Sequence, residues 1–471
     1  MEDSIKPLVE ELHELVRHGK LKEAKKFYWK NIHSLVEKRF IDSVNKKIES
    51  KKLPQYDWLI IPAGLEESYY VLLINALKPK KIYFLCTEIF RNEFLENIIK
   101  KTNLKREQYI VNVINYKGMD LAEVYGKIKE KAHLFNGKVA VDLTRGKRII
   151  SAGAAIMASF FGFDIIYIDE DWEVDIKRGV PGSEDLILVR NPFHIFGDLE
   201  KNYARIMFNQ YNFNSSKVLL QELCKKVKDP REYEVLTLIS ETYDYWNAFN
   251  YNAASKKIQE ALRKIDQFDL TIERETLKGN EEALIILSKI NTVQKIDELL
   301  KDDNLILHLL IDLYTNALRR RESRRLDDAI VRLYRLLELI SQYRLASYDI
   351  ITSEPNYKNH PELKEKYKEI TKQLYNQERE LPFEIGIKDG HILLFLLEDE
   401  IWKNKTLEDM KKFLGPIRLR DNSIIAHGIE TINDKAFKKI EEMSEEFLKI
   451  TCKLLSKNLQ ELIQQHKFIK L

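Results

Sequence analysis

The sequence has little cysteine and no long hydrophobic run. Its three cysteines, Cys86, Cys224 and Cys452, lie far apart and form no CxxC pair. This pattern offers neither a disulfide framework nor a cysteine-based zinc site. No apolar stretch approaches the roughly 18 residues of a membrane-spanning helix, and the start MEDSIKPLVEEL lacks the apolar segment of a signal peptide. We therefore expect a cytoplasmic protein without a membrane partner.

An excess of charge of one sign is also missing. With 77 Lys and Arg against 74 Asp and Glu, the net charge is +3. A polyanion partner is therefore not indicated by the whole chain, and a nucleic-acid contact would need a local basic patch. The sequence contains no G-x-G-x-x-G fingerprint, no H-E-x-x-H and no convincing carboxylate cluster at metal-ligand spacing. We predict no dinucleotide cofactor and no metal site.

Glycine and proline are scarce as well, at 16 and 11 residues, while 44% of the chain is hydrophobic and 32% is charged. This composition is typical of a mostly helical protein with real cores, and the length of 471 residues predicts two to four domains. Apolar residues at helical spacing over residues 1–50 predict helices there, with a break at His18 and Gly19.

Short apolar runs alternate with helical stretches between about residues 56 and 198. The runs that we interpret as buried strands are DWLIIPAG, KKIYFLCTE, QYIVNVINY, KVAVDLTRG and FDIIYIDED. Repeated strand–helix–strand units predict a parallel sheet with helices on both faces. A further run, EDLILVRN, fits an added edge strand.

Helical periodicity continues from about residue 199 to the end. Polar or flexible pairs predict breaks in it near Asp229-Pro230, Gly279-Asn280, Ser353 to Pro355 and Gly415-Pro416. The sequence therefore predicts an α/β domain followed by a large all-helical region.

Ligands of an open parallel sheet bind at the carboxyl ends of its strands, and three loops there carry candidate residues. The segment DLTRGKR, residues 142–148, has a hydroxyl, a flexible turn and three cations just before a predicted helix N-terminus. Such a combination suits phosphate binding, although a solvated basic turn fits the residues equally well. The candidates are Gly64 and Ser68 in the first loop, Thr87 in the second, and Thr144, Arg145, Gly146, Lys147 and Arg148 in the third.

The segment LRDNSIIAHGIE, residues 419–430, places Arg420 seven positions before His427. On one helix the two would share a face about 10 Å apart, and Asp421, Asn422 and Ser423 are good N-cap residues, so a helix is predicted to begin here. Histidine can move protons near neutral pH and arginine can stabilise phosphoryl charge, as RNA cleavage by its own 2′-hydroxyl requires. A capped helix with a packed histidine is the competing interpretation.

Two separated segments carry a family resemblance. DLTRGKRIISAGAAIMA is similar to the D-x-[ST]-G-G-T-[KR] loop and helix of CARF domains, the Rossmann-like sensors of CRISPR systems. LRDNSIIAHG resembles the R-x(4–6)-H motif of HEPN ribonucleases, and residues 327–345 resemble a core helix of that domain. Their order is that of the type III CRISPR ancillary ribonucleases. The resemblance implies α/β plus all-α architecture, with a Rossmann-like parallel-sheet CARF domain followed by a helical HEPN domain.

The resemblance also implies a division of the chain and a function. It implies N-terminal helices over 1–50, a CARF-like sensor over 51–198, a helical connector over 199–279 and a HEPN-like ribonuclease domain over 280–471. The implied activity is metal-independent cleavage of single-stranded RNA, leaving 2′,3′-cyclic phosphate ends, in antiviral defence. A homodimer would bind an allosteric activator, a cyclic oligoadenylate with the tetra-adenylate favoured, in a two-fold pocket.

Residue by residue, Arg420 and His427 fall on the catalytic motif, with Asp421 and Asn422 as candidate supporting residues. In the sensor, Thr144, Gly146 and Arg148 fall on the CARF loop. Arg145 and Lys147 replace its usual glycine and threonine, and Gly64 and Ser68 match the first ligand loop only by position.

Two alternatives remain open from the sequence. One is a CARF-type regulator whose helical region binds nucleic acid or protein without cleaving it. The other is a small-molecule enzyme with a Rossmann core and a helical cap, which the absence of dinucleotide glycines and of a catalytic triad disfavours.

Overall fold

The computed structural model describes residues 2–114, 120–421 and 434–471. By its internal contacts the chain divides into two compact units, Met1–Asp198 and Leu199–Leu471. The finer division into four segments stays a prediction. Within the described ranges, no helix is both long and apolar enough to cross a membrane.

The first unit is built on a mixed, mainly parallel sheet. Over the described residues, the sheet has six strands in the order β3-β2-β1-β4-β5-β8, in which β1 to β5 are parallel and β8 pairs antiparallel with β5. This confirms the predicted parallel sheet and its added edge strand. The strands are β1 (Trp58–Pro62), β2 (Lys81–Cys86), β3 (Tyr109–Val113), β4 (Val139–Asp142), β5 (Asp164–Asp169), the small hairpin β6 (Trp172–Glu173) and β7 (Arg178–Gly179), and β8 (Asp185–Val189).

Helices cover both faces of this sheet. They are α1 (Glu2–Arg17), α2 (Leu21–Phe27), α3 (His33–Glu49), α4 (Glu67–Leu77), α5 (Glu88–Glu93), α6 (Leu95–Thr102), α7 (Leu121–Lys131), α8 (Arg148–Phe161) and α9 (Pro192–Phe196). As predicted, α1 ends just before His18 and Gly19. The N-terminal helices α1 to α3 share one hydrophobic cluster with α4 and with one face of the sheet.

Side-chain alternation explains why this sheet needs helices on both sides. Leu59 and Ile61 of β1 point into the cluster that holds α3 and α4, whereas Trp58 and Ile60 point into the cluster of α7 and α8. All four are buried. Because successive strand residues face opposite sides, a continuous apolar strand is stable only when both faces are covered.

All regular secondary structure in the described part of the second unit is helical. Its helices are α10 (Asp198–Asn209), α11 (Phe213–Lys226), α12 (Arg231–Asn247), α13 (Tyr251–Phe268), α14 (Arg274–Ser288), α15 (Ile296–Leu299), α16 (Asp303–Glu322), α17 (Leu326–Ala346), α18 (Leu363–Tyr375), α19 (Ile387–Leu396), α20 (Leu407–Asp421), α21 (Asp434–Leu454) and α22 (Leu459–Gln465). Helices α10 to α14 form one hydrophobic cluster and α16 to α22 form another. The predicted all-helical region is confirmed.

The predicted break at Gly279 and Asn280 is wrong, because α14 runs through both residues. Asn280 is fully buried. Its side-chain oxygen accepts from the Tyr243 hydroxyl at 2.7 Å, and its amide nitrogen donates to the carbonyls of Gln465 and Lys467, both at 2.9 Å. The asparagine therefore satisfies buried polar groups of the C-terminal segment and does not form a turn.

The predicted break at Gly415 and Pro416 is also wrong, since α20 continues to Asp421. A proline inside a helix removes one backbone hydrogen bond. Here the apolar face of the helix compensates, with Phe413 and Ile417 buried on either side of the proline. The buried hydroxyl of Tyr334 on α17 also donates to the Pro416 carbonyl at 2.8 Å.

Candidate functional site

The loops that follow β1 and β4 touch through their backbones. A Cβ added to Gly64 would lie 2.9 Å from the nitrogen and Cα of Gly146. Gly146 has φ +143°, and a Cβ there would lie 2.4 Å from the Pro62 carbonyl oxygen. Both positions therefore require glycine. The Tyr70 hydroxyl accepts from the Gly64 N–H at 2.6 Å and holds the first loop in place.

Thr144 is held below this contact by the last residue of β4. The Asp142 carboxylate accepts from the backbone N–H of Thr144 at 2.9 Å and from its hydroxyl at 2.5 Å. The same hydroxyl accepts from the N–H of Ile168 on β5 at 2.9 Å. Asp142 is fully buried, and its second carboxylate oxygen has no hydrogen-bond partner. Burial raises the pKa of Asp142 to about 6, although the two hydrogen bonds from Thr144 lower it.

Arg145 is engaged by neighbouring side chains of its own unit. Its guanidinium lies 2.8 Å from Glu66 and 2.5 Å from Glu170, and it also donates to the Tyr69 hydroxyl at 2.8 Å. Its carbon lies 4.2 Å from the centre of the Tyr69 ring. Burial disfavours the charged form of Arg145, but Tyr69, Glu66 and Glu170 outweigh it and raise the pKa. Two carboxylates already neutralise this cation.

Lys147 and Arg148 stand at the N-terminus of α8. Lys147 occupies the N-cap position without a side-chain cap hydrogen bond. The Ile150 N–H donates to the Lys147 carbonyl at 2.8 Å, and the positive end of the helix dipole still favours an anion here. Arg148 is exposed and has no ion-pair partner among the described residues. The helix terminus and Arg148 are therefore the parts of this loop best placed to contact a phosphate.

Ser68 and Thr87 are bound to other protein groups. Ser68 lies in the first turn of α4 and forms a hydrogen bond with Tyr28. Burial raises the pKa of Tyr28, and the bond to Ser68 offsets a small part of that rise. Thr87 is the N-cap of α5 and accepts from the N–H of Phe90 at 3.4 Å. Six of the predicted ligand-binding residues lie together around the ends of β1 and β4. They are Gly64, Thr144, Arg145, Gly146, Lys147 and Arg148.

Sequence reasoning missed the residues that shape this loop. The loops after β1 and β4 are held in place by five other side chains, through the hydrogen bonds and ion pairs just described. These are Asp142, Tyr70, Tyr69, Glu66 and Glu170. Asp142 leaves a sequence signal, since an aspartate two positions before a threonine at the end of a buried strand suits an Asx turn. Glu170 leaves none, because it reaches Arg145 from the loop after β5, 25 residues further along the chain.

The second candidate site falls partly outside the described residues. The backbone of Arg420 lies in the last turn of α20, which ends at Asp421. Asp421 is thus the last residue of an existing helix, and the helix predicted to begin at Asp421, Asn422 or Ser423 falls on residues outside the described part of the chain. The described part of the chain does not include the side chains of Arg420 and Asp421. It also excludes the whole of residues Asn422 and His427.

Described helices of the second unit flank this segment. Helix α20 leads into it, α21 begins at Asp434 just after it, and both pack with α17 in one hydrophobic cluster. The Tyr334 bond to the Pro416 carbonyl fixes α20 one turn before Arg420. Among the described side chains, no group of three or more His, Cys, Asp or Glu residues is arranged to hold a metal ion.

Two family models match the second unit and the end of the first. Residues 300–451 match the Csm6 HEPN domain, and residues 196–307 match the Csm6 6H domain. Together they span more than half of the chain. The chain belongs to the Csm6 family. The HEPN match includes Arg420 and His427, and the 6H match covers the whole of segment 199–279, which the sequence had left as an unassigned connector.

Similar proteins carry the same family name. The chain is 24% identical over 328 residues to the CRISPR system endoribonuclease Csm6 of Thermus thermophilus, covering 66% of this chain and 68% of that protein. The structure of Enterococcus italicus Csm6 bound to cyclic hexa-2′-fluoro-hexa-dAMP is 14% identical, with a TM-score of 0.46 over 87% of this chain and 98% of that one.

Titration of Asp142 provides a test of the loop geometry. Since its folded pKa is about 6 and its ordinary value is 3.8, its contribution to stability is full below pH 3.8 and is lost as the pH rises through 6. Wild-type stability relative to Asp142→Asn should therefore fall by about 1 kcal/mol between pH 5 and pH 8. Urea unfolding at both pH values measures this difference. An identical difference at the two pH values would contradict the buried, unpaired carboxylate.

Proposed function

We propose that this Csm6-family protein is a cytoplasmic endoribonuclease that cleaves single-stranded RNA without a metal ion in type III CRISPR antiviral defence. The proposal depends on one observation above all. An R-x-H motif, Arg420 to His427, falls inside the segment that matches the Csm6 HEPN domain. The relative from Thermus thermophilus is named an endoribonuclease, which supports the same activity here.

The proposed chemistry uses the 2′-hydroxyl of the RNA as the nucleophile. His427 moves the proton, because its ordinary pKa lies near neutrality. Arg420 stabilises the additional charge on the phosphoryl group, and Asp421 and Asn422 support the pair. Two such pairs from two copies of the chain complete one centre, since a two-fold axis brings equivalent groups together. The products would carry 2′,3′-cyclic phosphate ends.

We further propose that a cyclic oligoadenylate activates the enzyme by binding where β1 and β4 end. Three features support this position. The sheet reverses its strand order between β1 and β4, where ligands of open parallel sheets bind. The uncapped N-terminus of α8 offers amide N–H groups to phosphate, and Arg148 adds an exposed charge. We keep the tetra-adenylate as the predicted ring, and a hexa-adenylate ring is its natural competitor because both have two-fold symmetry.

An exposed apolar surface on α8 supports a homodimer. Ile156 and Phe160 lie one helical turn apart and are about half exposed, at 49% and 51%, and Phe161 is 36% exposed beside them. A second copy of α8 would cover this strip about a two-fold axis, next to the loop that α8 begins. The strip and the candidate ligand loop thus belong to one helix.

The first prediction tests the catalytic pair. His427→Ala and Arg420→Ala should each reduce RNA cleavage by at least about a hundredfold, and the double variant should be little worse because the residues act as a unit. Binding of cyclic oligoadenylate and dimerisation should not change. Cleavage of fluorescent RNA with and without EDTA, with analysis of product ends, measures this. Unchanged activity per folded molecule would identify His427 as a packed histidine and place the catalytic groups elsewhere. A wild-type protein that does not cleave RNA would favour the regulator.

The second prediction tests the ligand loop. Arg148→Glu should weaken binding of cyclic tetra-adenylate at least about tenfold, because it places a negative charge where a phosphate must lie. Arg106→Glu is the matched control, since Arg106 is exposed and precedes the edge strand β3, whereas the candidate loops follow the central strands β1 and β4. Calorimetry with rings of four and six adenylates also decides the ring size. Equal affinity in both variants would place the ligand elsewhere.

The third prediction concerns assembly. The variant Ile156→Glu with Phe160→Glu should sediment as a monomer, since burying two carboxylates at the two-fold contact costs several kcal/mol, and it should lose activated cleavage. Ile285→Glu, at an isoleucine on α14 that is 45% exposed, is the control and should stay dimeric. A wild-type protein that is monomeric and fully active would overturn the composite site.

A further inference from the structure

A dense arginine cluster lies at the turn between α16 and α17. The sequence RRRESRR, residues 319–325, holds five arginines in seven positions, and neither the catalytic motif nor the ligand loop uses them. Two of the five are bound to other parts of the unit and are not available to a ligand. Arg319 is buried against Asp312 at 3.5 Å and lies 4.0 Å from the Phe468 ring centre. Arg321 pairs with Glu441 at 2.7 Å.

Two other arginines, Arg320 of this segment and Arg332 of α17, lie near the end of α12. Arg320 donates weakly to the Asn247 carbonyl at 3.4 Å, and its Nε is buried without a hydrogen-bond partner. Arg332, from the second turn of α17, donates to the Asn316 side chain at 2.8 Å. Its guanidinium carbon lies 5.5 Å from the centre of the Phe249 ring. Neither guanidinium has a carboxylate within ion-pair distance among the described residues.

Arg325 completes the group at the surface, where it pairs with Asp328 at 2.5 Å. Arg320, Arg325 and Arg332 are close enough to repel one another. Burial lowers the pKa of Arg320, and the charges of Arg332 and Arg325 lower it further. Burial likewise lowers the pKa of Arg332, and the negative charge of Asp328 offsets part of this lowering.

The charge of this cluster is incompletely balanced. Four arginines lie here, Arg319, Arg320, Arg325 and Arg332. Only two carboxylates, Asp312 and Asp328, are among the charged groups with the strongest electrostatic effect on them. Like charges held in a half-buried position are unfavourable, because solvent screens them poorly. A bound anion would relieve this repulsion. Phosphate is the anion whose geometry matches planar guanidinium groups.

The position of Phe249 indicates which kind of molecule would carry the phosphate. It follows the C-terminus of α12 and is 37% exposed, with Arg332 beside its ring. An exposed aromatic ring next to cations is the pattern by which proteins hold single-stranded nucleic acid, with a base on the ring and the backbone on the charges. A free phosphate or an acidic peptide would leave the ring unused.

We propose that Arg320, Arg325 and Arg332, together with Phe249, form a binding site for single-stranded RNA outside the catalytic motif. The three guanidinium groups contact backbone phosphates and Phe249 stacks against a base. The site adds affinity for the substrate and takes no part in bond cleavage. Its role in turnover rests on the proposed ribonuclease function, whereas its binding of RNA is measured without cleavage.

The test uses the full-length protein and a fluorescent single strand of 2′-O-methyl RNA, which lacks the attacking hydroxyl. The triple variant R320Q/R325Q/R332Q should bind it at least about tenfold more weakly, and the slope of log K against log salt should fall by about 2, at roughly 0.7 for each lost phosphate contact. The control R205Q/R231Q/R263Q removes the same charge from exposed arginines of the same unit and should bind within about twofold of wild type. Equal losses in both variants would reduce the site to general electrostatics and overturn the proposal.

A second variant separates stacking from charge. Phe249→Leu keeps an apolar side chain but removes the ring, so it should weaken RNA binding about fivefold or more without changing the salt slope. In cleavage assays the triple variant should raise KM and leave kcat unchanged. If the triple variant unfolds, Arg325→Gln alone, at an exposed residue, should lower the slope by about 0.7. Preferential capture of polyglutamate over RNA, or no effect of either Phe249→Leu or Arg325→Gln, would also overturn the proposal.

Discussion

The contact between the backbones of Gly64 and Gly146 is the constraint on which the candidate ligand site depends. Neighbouring parallel strands place the loops after β1 and β4 side by side, but only two glycines allow them to touch. Tyr70 fixes one loop through the Gly64 N–H, and Asp142 fixes the other through Thr144. The start of α8 is therefore set by the strands and not by the ligand. A preorganised helix terminus loses little entropy when it binds an anion.

Sequence patterns predicted the elements better than the contacts that complete them. The five parallel strands and the edge strand were predictable, because a short, continuous apolar run bounded by turn residues is typical of a buried strand. The breaks at Gly279-Asn280 and Gly415-Pro416 were wrong for a common reason. Tertiary partners, the C-terminal segment for Asn280 and Tyr334 for Pro416, override local preferences. Such partners lie tens or hundreds of residues away and leave no local signal.

Arg145 shows the same limit at the site itself. From the sequence it belongs with Lys147 and Arg148 as one of three equivalent cations, yet Glu66 and Glu170 neutralise it. Its position replaces a glycine of the CARF pattern, so the added charge arrives together with carboxylates that bind it. The arginine ties the loop after β4 to α4 and to the end of β5, and in this role it positions the loop. In the proposed ligand site, the groups at the N-terminus of α8 are therefore the ones that we expect to contact an anion.

The arginines of the second unit contrast with Arg145, and the contrast bears on the RNA site that we propose for this nearly neutral chain. Arg145 meets two carboxylates, whereas Arg320 and Arg332 have none within ion-pair distance in the described part of the chain. A net charge of +3 carries no information about this difference, because it counts charges and does not show which of them form ion pairs. In the proposed RNA site, Arg325 pairs with Asp328, whereas Arg320 and Arg332 are the cations without a partner carboxylate among the described residues. At those positions an incoming phosphate gains attraction without displacing an existing ion pair.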